Sequence, residues 1–217
     1  AFTSIKADYS QGFDKLKEYQ SYIKDWVFGY LSYDLKNDVE DLKSNNFDGL
    51  EFPDLYFFQP KRLFLVKGNH VEIQYLNCVD DELDDDLFDI LNVKEVPRGH
   101  AFSDVKIKLR IHKDAYFDKV NTMLNSIHRG DIYEANFCQE FYAENTVINP
   151  IETYNKLNTI SKPPFATFFK LSDKYLLSAS PERYIKKTGN KNGKEIIYRI
   201  NRCRWIRLYL TSSTKSS

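Results

Sequence analysis

The stretch Ser178-Ala-Ser-Pro-Glu-Arg183 carries the most suggestive chemistry in the chain: small residues end an apolar run, and a carboxylate follows next to a proline. Proline fixes its own φ and pushes the preceding residue into extended geometry, so the backbone around Pro181 sets the direction of Glu182. A carboxyl aimed in this way and held partly out of water can give or take a proton near neutral pH. The alternative is structural: Glu182 pairs with Arg183 or a lysine at a sheet end, and spacing alone favours it. Both readings stand at this point.

Other candidates carry less. His70, His100, His112 and His128 are scattered without ligand spacing, which argues against a histidine metal site. Gly189-Asn-Lys-Asn-Gly-Lys-Glu195 echoes a phosphate loop but is one residue short between its glycines, and Glu195 stands where Ser or Thr is required, so it reads as a hairpin turn. The acidic run Asp80-Asp-Glu-Leu-Asp-Asp-Asp86 could hold a cation, yet it lacks the glycine and terminal glutamate of a calcium loop. Leu83, Leu87, Ile90 and Leu91 follow at helical spacing, and acidic residues suit a helix start.

These residues need elements to position them. Phe13, Leu16, Gln20 and Ile23 predict a helix, and Trp26 to Tyr33 a strand. Leu63–Val66 and Val71–Leu76 flank Lys67-Gly-Asn-His70 as an antiparallel hairpin. Val105 to Ile111 alternates apolar and basic residues, which predicts a strand with one buried face and with Lys106, Lys108 and Arg110 in solvent. Phe117, Val120, Leu124 and Ile127 predict a helix capped at Gly130. Ile132 to Tyr142 reads as a long strand, and Ile151, Tyr154 and Leu157 as a short helix stopped by Pro163-Pro164. Phe165–Leu171 and Tyr175–Ser180 form a further antiparallel pair around Ser172-Asp-Lys174. Strands outnumber helices and short turns join them, so the class is α+β with antiparallel sheet rather than β-α-β alternation.

The end of the chain differs in composition. Arg199, Arg202, Arg204 and Arg207 crowd together, no acidic residue follows Glu195, and Thr211 to Ser217 is low in complexity. A basic interaction tail is one reading and a foreign or frame-shifted terminus the other. Over the whole chain 31 basic and 31 acidic side chains cancel, so no net field favours nucleic acid or an anionic membrane surface. A small molecule or a protein is the expected partner. An aromatic share of 15% fits a folded segment. Cys78, Cys138 and Cys203 are odd in number and unpaired in spacing, which predicts buried or incidental thiols in a reducing compartment. With no signal pattern and no apolar run of about 18 residues, the expected location is cytoplasmic. The chain opens Ala1-Phe-Thr and its single methionine is Met123, so a start partway into a longer protein is expected.

Four segments together resemble the chorismate-utilising family that includes aminodeoxychorismate synthase component I and anthranilate synthase component I. Asp25-Trp-Val-Phe-Gly-Tyr-Leu-Ser-Tyr-Asp-Leu-Lys36 is similar to a G-Y-x-x-Y-D element. Ile127 to Phe141, containing Gly130-Asp-Ile-Tyr-Glu-Ala-Asn-Phe137, resembles G-D-I-Y-Q-V-N-L-S-Q-R-F, with Glu134 and Glu140 replacing the commoner Gln and Arg. Ser161-Lys-Pro-Pro-Phe165 is a loose N-P-S-P-Y, and Ser180-Pro-Glu-Arg183 after a strand is the most specific match. Order and spacing agree from about Ala1 to Ile197.

The resemblance implies large antiparallel sheets packed as a sandwich with helices outside and chorismate in the cleft, a partial anthranilate synthase component I-like fold. It implies that Glu182 is the catalytic acid/base acting on the departing ring hydroxyl. Residues 1–198 would then be the N-terminal part of the chorismate-binding domain, and residues 199–217 an atypical, non-native tail. The expected activity of the parent is conversion of chorismate and ammonia to 4-amino-4-deoxychorismate for folate biosynthesis, with Mg2+ and a glutamine amidotransferase partner. In that branch a lysine in P-I-K-G-T adds to the ring. Here Arg199-Ile-Asn-Arg-Cys203 occupies that place, with Asn201 at the nucleophile position, and an amide cannot act as an amine nucleophile. The acidic magnesium ligands lie farther along than this chain extends, and nothing before Phe13 matches the usual small-residue motif. Truncation at both ends and an inactive fragment are therefore expected. An anthranilate synthase fragment and a noncatalytic binding module are the alternatives.

Overall fold

The computed structural model describes residues 1–8, 10–94, 105–191, 194–199 and 207–211. The chain divides into two compact units, Ala1–Pro97 and Arg98–Ser217, and each mixes helices with antiparallel strands.

In the first unit β1 (Thr3–Ala7), β3 (Leu55–Gln59) and β2 (Phe28–Leu31) form an antiparallel sheet in the order β1-β3-β2. Residues alternate across a strand, so Ile5 pairs with Phe57 and Ala7 with Leu55 on one face. Helix α1 (Gly12–Ile23) brings Leu16 to this face, and a 3-10 turn over Tyr33–Asp38 adds Leu35, making a small core of Ala7, Leu35 and Leu55. The other face is paved with Phe28, Tyr56 and Phe58, with the Trp26 ring stacked 6.1 Å from that of Phe28. A Cβ on Gly29 would overlap the Tyr56 carbonyl and lie 2.7 Å from Phe57 Cα, so β2 reaches β3 only because that position is glycine.

Helix α1 has no side-chain cap from its own N-cap residue, Gln11, which sits in the left-handed region at φ 56. Its exposed amides are met from a distance instead: Gln11 N–H donates to Asp38 Oδ1 at 2.6 Å and Phe13 N–H to Asp38 Oδ2 at 3.3 Å. The unit continues with the hairpin β4 (Arg62–Lys67) and β5 (His70–Tyr75), turning at Gly68-Asn69 with Gly68 at φ 58. The acidic run begins helix α2 (Leu83–Leu91) as its composition predicts. Arg62 ties hairpin to helix through Glu82 and, at 2.7 Å, Asp86, which also accepts from the Tyr75 hydroxyl at 2.6 Å.

In the second unit the predicted helix is α3 (Lys113–Arg129), and Gly130 closes it at φ 84. Gly130 N–H bonds Ile127 O and Asp131 N–H bonds Ser126 O, the paired bonds of a Schellman end. Helix α4 (Pro150–Ser161) starts on Asn149, whose side chain accepts from the Ile151 and Glu152 amides, and stops at Lys162 before Pro163-Pro164. Strands β8 (Phe165–Leu171), β9 (Lys174–Ser180) and β12 (Arg207–Thr211) form one sheet in the order β12-β9-β8, and β10 (Ile185–Lys191) pairs with β11 (Lys194–Arg199) as a hairpin.

Several expectations need correction. The strand predicted over Trp26–Tyr33 is confined to β2 and gives way to the 3-10 turn. The long strands expected over Val105–Ile111 and Ile132–Tyr142 shrink to β6 (Lys108–Leu109) and β7 (Phe141–Tyr142), two residues each. Their alternation holds, but the face expected to be buried is not: Ile107 is 69% exposed. A period-two pattern forms a strand only where a neighbour satisfies the ladder and a layer covers the apolar side. Lys108 and Arg110 are in solvent as expected, and each meets an acid: Lys108 bonds Glu144 at 2.7 Å, and Arg110 bonds Glu140 through two nitrogens at 2.8 and 3.0 Å. Of the two readings of the cysteines, buried or incidental, Cys78 and Cys138 do not fit the first, being exposed and free, and Cys203 lies outside the described residues. No helix among the described residues is long and apolar enough to cross a membrane.

Candidate active site

Strand β9 delivers the candidate carboxylate. It lies between β8 and β12, helix α4 packs against it, and its last four residues, Leu177 to Ser180, are all buried. Burying Ser178 and Ser180 along with Leu177 gives a strand end that is polar in composition yet shielded from water, the setting in which each hydroxyl needs a partner. Ser180 finds one locally. Its hydroxyl donates to the Glu182 carbonyl at 2.8 Å and accepts from the Glu182 amide at 3.4 Å. Glu182 is therefore held twice, by the fixed φ of Pro181 and by a hydroxyl that brackets its peptide.

The Glu182 side chain is half-buried, and its Oε2 is closed to solvent without a hydrogen-bond partner among the described residues. The neighbouring Arg183 does not serve as that partner: its guanidinium carbon lies 4.9 Å over the Phe165 ring. The structural pairing that spacing alone favours, Glu182 with Arg183 or a lysine, is not formed among the described residues. A buried carboxylate oxygen left unpaired is costly, and a hydroxyl brought by a ligand would satisfy it.

The third and fourth motif segments meet here. Phe165, from Ser161-Lys-Pro-Pro-Phe165, pairs across the sheet with Ser180 and carries the Arg183 guanidinium on its ring. The second segment is on the separate β6–β7 pair. There Gln139 donates Nε2 to the Ile111 carbonyl at 2.9 Å and leaves a buried Oε1 unpaired among the described residues. Arg129 and Asp131 pair at 2.6 Å after the helix end. Glu140, where the motif commonly has Arg, receives the two bonds from Arg110, whose guanidinium also lies 3.9 Å from the Tyr142 ring centroid. The Glu140 hydrogen bonds, ahead of the charges around it, hold the Arg110 pKa above its ordinary value.

The first segment belongs to the other unit, and several of its side chains and its glycine make contacts within that unit. Gly29 permits the strand approach, Tyr30 donates to the Pro53 carbonyl at 2.9 Å, and Asp25 accepts from Gln59 Nε2 at 2.8 Å. Asp34 joins Lys36 at 2.7 Å and the Ser44 hydroxyl, and these hydrogen bonds, Lys36 first, hold its carboxyl below the usual range. Two features escaped the sequence reading. The Ser180 bracket was legible in principle, since a serine two residues before the residue it bonds is a common turn spacing. The unpaired oxygens of Gln139 and Asn158 depend on packing and leave no mark in the sequence. Asn201 lies outside the described residues.

A family model described as chorismate binding enzyme matches residues 4–197. The chain is 29% identical over 170 residues to an anthranilate synthase component I-like protein of Synechocystis sp., covering 76% of this chain and 34% of that protein. It is 27% identical over 172 residues to anthranilate synthase component 1 of Thermus thermophilus, covering 76% and 37%. Against aminodeoxychorismate synthase component 1 of Bacillus subtilis it is 23% identical over 176 residues, covering 75% and 37%. The chain thus spans 34–37% of the length of these relatives. Its fold is similar to that of anthranilate synthase component I from Streptococcus pneumoniae TIGR4, with a TM-score of 0.63 at 21% identity over 77% of this chain and 40% of that one.

Proposed function

Since the chain belongs to the chorismate-binding enzyme family, we propose that it is the N-terminal part of an aminodeoxychorismate synthase component I, acting on chorismate and ammonia in the cytoplasm for folate biosynthesis. The observation that carries a catalytic reading is the Glu182 carboxylate, directed by Pro181 and bracketed by Ser180, with Oε2 buried and unpaired. Such a group suits proton transfer to a leaving hydroxyl, because the hydroxyl supplies the hydrogen-bond partner that the resting site lacks. Glu182 would protonate the departing ring hydroxyl and later take a proton back.

The remaining machinery would come from outside the described residues. Among them no group of three or more His, Cys, Asp or Glu converges on a point that could hold a metal. Mg2+ is the ion proposed for the full-length protein. A partner component fits the names of the relatives, several of which are component 1 of a synthase, and a glutamine amidotransferase supplying ammonia is the partner proposed. In the complete domain the antiparallel sheets would pack as a sandwich with helices outside. The competing reading is an anthranilate synthase component I, which relatives at similar identity support.

Incubating the full-length protein with chorismate, ammonium and magnesium tests the proposal by product. Formation of 4-amino-4-deoxychorismate is expected. Anthranilate would favour the competing reading, and unchanged chorismate would overturn both. The 217-residue chain alone should give no product above a no-protein control.

A further inference from the structure

The matched family region ends at residue 197, yet the chain makes one more strand beyond it. Strand β12, Arg207-Leu-Tyr-Leu-Thr211, pairs antiparallel along β9, with Arg207 opposite Ser178, Leu208 opposite Leu177, Tyr209 opposite Leu176, Leu210 opposite Tyr175 and Thr211 opposite Lys174. The other edge of β9 is already taken by β8. Without β12, β9 would be an edge strand, and a row of free N–H and C=O groups beside its apolar residues would invite pairing with any extended chain. Leu-Tyr-Leu-Thr suits that role, being rich in residues that favour strands and free of proline and glycine.

We propose that the Lys174–Ser178 edge of β9 is a strand-accepting surface, and that residues 207–211 of this chain occupy it as an added strand. The contact is made by main-chain groups, so it tolerates the unusual composition of the surrounding segment: backbone hydrogen bonds carry the affinity and side chains adjust it. Its position gives it a consequence. The covered residues lead directly into Ser180-Pro-Glu182, so filling or freeing this edge changes the support of the strand that aims the candidate carboxylate. An unpaired edge frays more readily than a paired one.

Two proline variants of the full chain test this, with amide hydrogen exchange as the readout. In an antiparallel pair successive N–H groups point alternately toward the partner and away, and proline is tolerated only where the N–H faces away. Leu208→Pro and Tyr209→Pro therefore probe opposite directions of one strand. At least one is expected to speed exchange at amides within Tyr175–Ser178 by roughly tenfold or more, as freed edges do, while the β4–β5 hairpin stays protected. Adding a synthetic peptide with the sequence of residues 206–211 should then slow that exchange again. Unchanged protection of β9 in both variants would overturn the proposal. So would a loss of protection that spreads equally to β4–β5, because it would show general unfolding rather than release of an added strand.

Discussion

Replacing Asp38 with alanine removes the only side chain that caps α1 among the described residues, although Asp38 stands 25 to 27 positions away from the amides it meets. The bond to the Gln11 amide is short at 2.6 Å and that to Phe13 longer at 3.3 Å, so most of the effect belongs to the first. Loss of a capping side chain costs about 0.5–2 kcal/mol. The carboxylate against the positive end of the helix contributes about 0.3–1 kcal/mol, part of which the capping figure already contains. A loss of about 1.5 kcal/mol follows for Asp38→Ala and about half that for Asp38→Asn, which keeps an acceptor without its charge. For a unit of this size the melting midpoint should fall by roughly 6–12 °C in the alanine variant. Gln11→Gly should act in the opposite sense, by up to about 1 kcal/mol, because it relieves a left-handed backbone at φ 56. Thermal unfolding followed by circular dichroism, with amide exchange in α1 to localise the change, measures all three. A shift in Asp38→Ala no larger than about 0.3 kcal/mol would refute the remote cap, since that lies below the smallest capping effect.

Asp34 has its carboxyl held below the ordinary value of 3.8 by its hydrogen bonds to Lys36 and Ser44. Its stabilising contribution is therefore complete above that value and is lost as pH falls through the lower folded-state pKa; a carboxyl titration by NMR should show a midpoint under 3.8 in the native protein and a rise in Lys36→Met, whereas a native midpoint at or above 3.8 would contradict the contact. The 217-residue chain should self-associate and bind an apolar dye, because large apolar side chains such as Ile107, Val147 and Leu91 stay exposed; a monodisperse monomer without dye binding would count against this.

The legibility of the chain follows the range of the interactions involved. The hairpin at Gly68-Asn69, the Gly130 helix end and the Pro163-Pro164 stop depend on a few consecutive residues, and each was placed correctly from its own dihedral requirements. The acidic helix start at Asp80–Asp86 was readable for the same reason. The strands over Val105–Ile111 and Ile132–Tyr142 are shorter than their pattern predicts, because alternation states which side would be buried without supplying a neighbour to bury it. The Asp38 cap and the Arg110–Glu140 pair connect residues 25 to 30 positions apart, so only the folded arrangement reveals them. At the candidate site, the direction of Glu182 was legible through Pro181. That no ion-pair partner meets it among the described residues was not, because Arg183 could equally have turned toward it instead of onto Phe165.

The central claim is that Glu182 works as an acid/base rather than as a structural carboxylate, and Glu182→Gln in the full-length protein tests it most directly. Glutamine keeps the shape and removes the titrating proton. Turnover of chorismate should fall by about a hundred-fold or more, the usual scale for losing a positioned acid/base, while chorismate affinity and the melting midpoint of the same preparation stay close to those of the unaltered protein. Near-normal turnover in a stable, folded Gln variant would contradict the account, and a variant that loses stability but keeps its rate per folded molecule would assign Glu182 to structure.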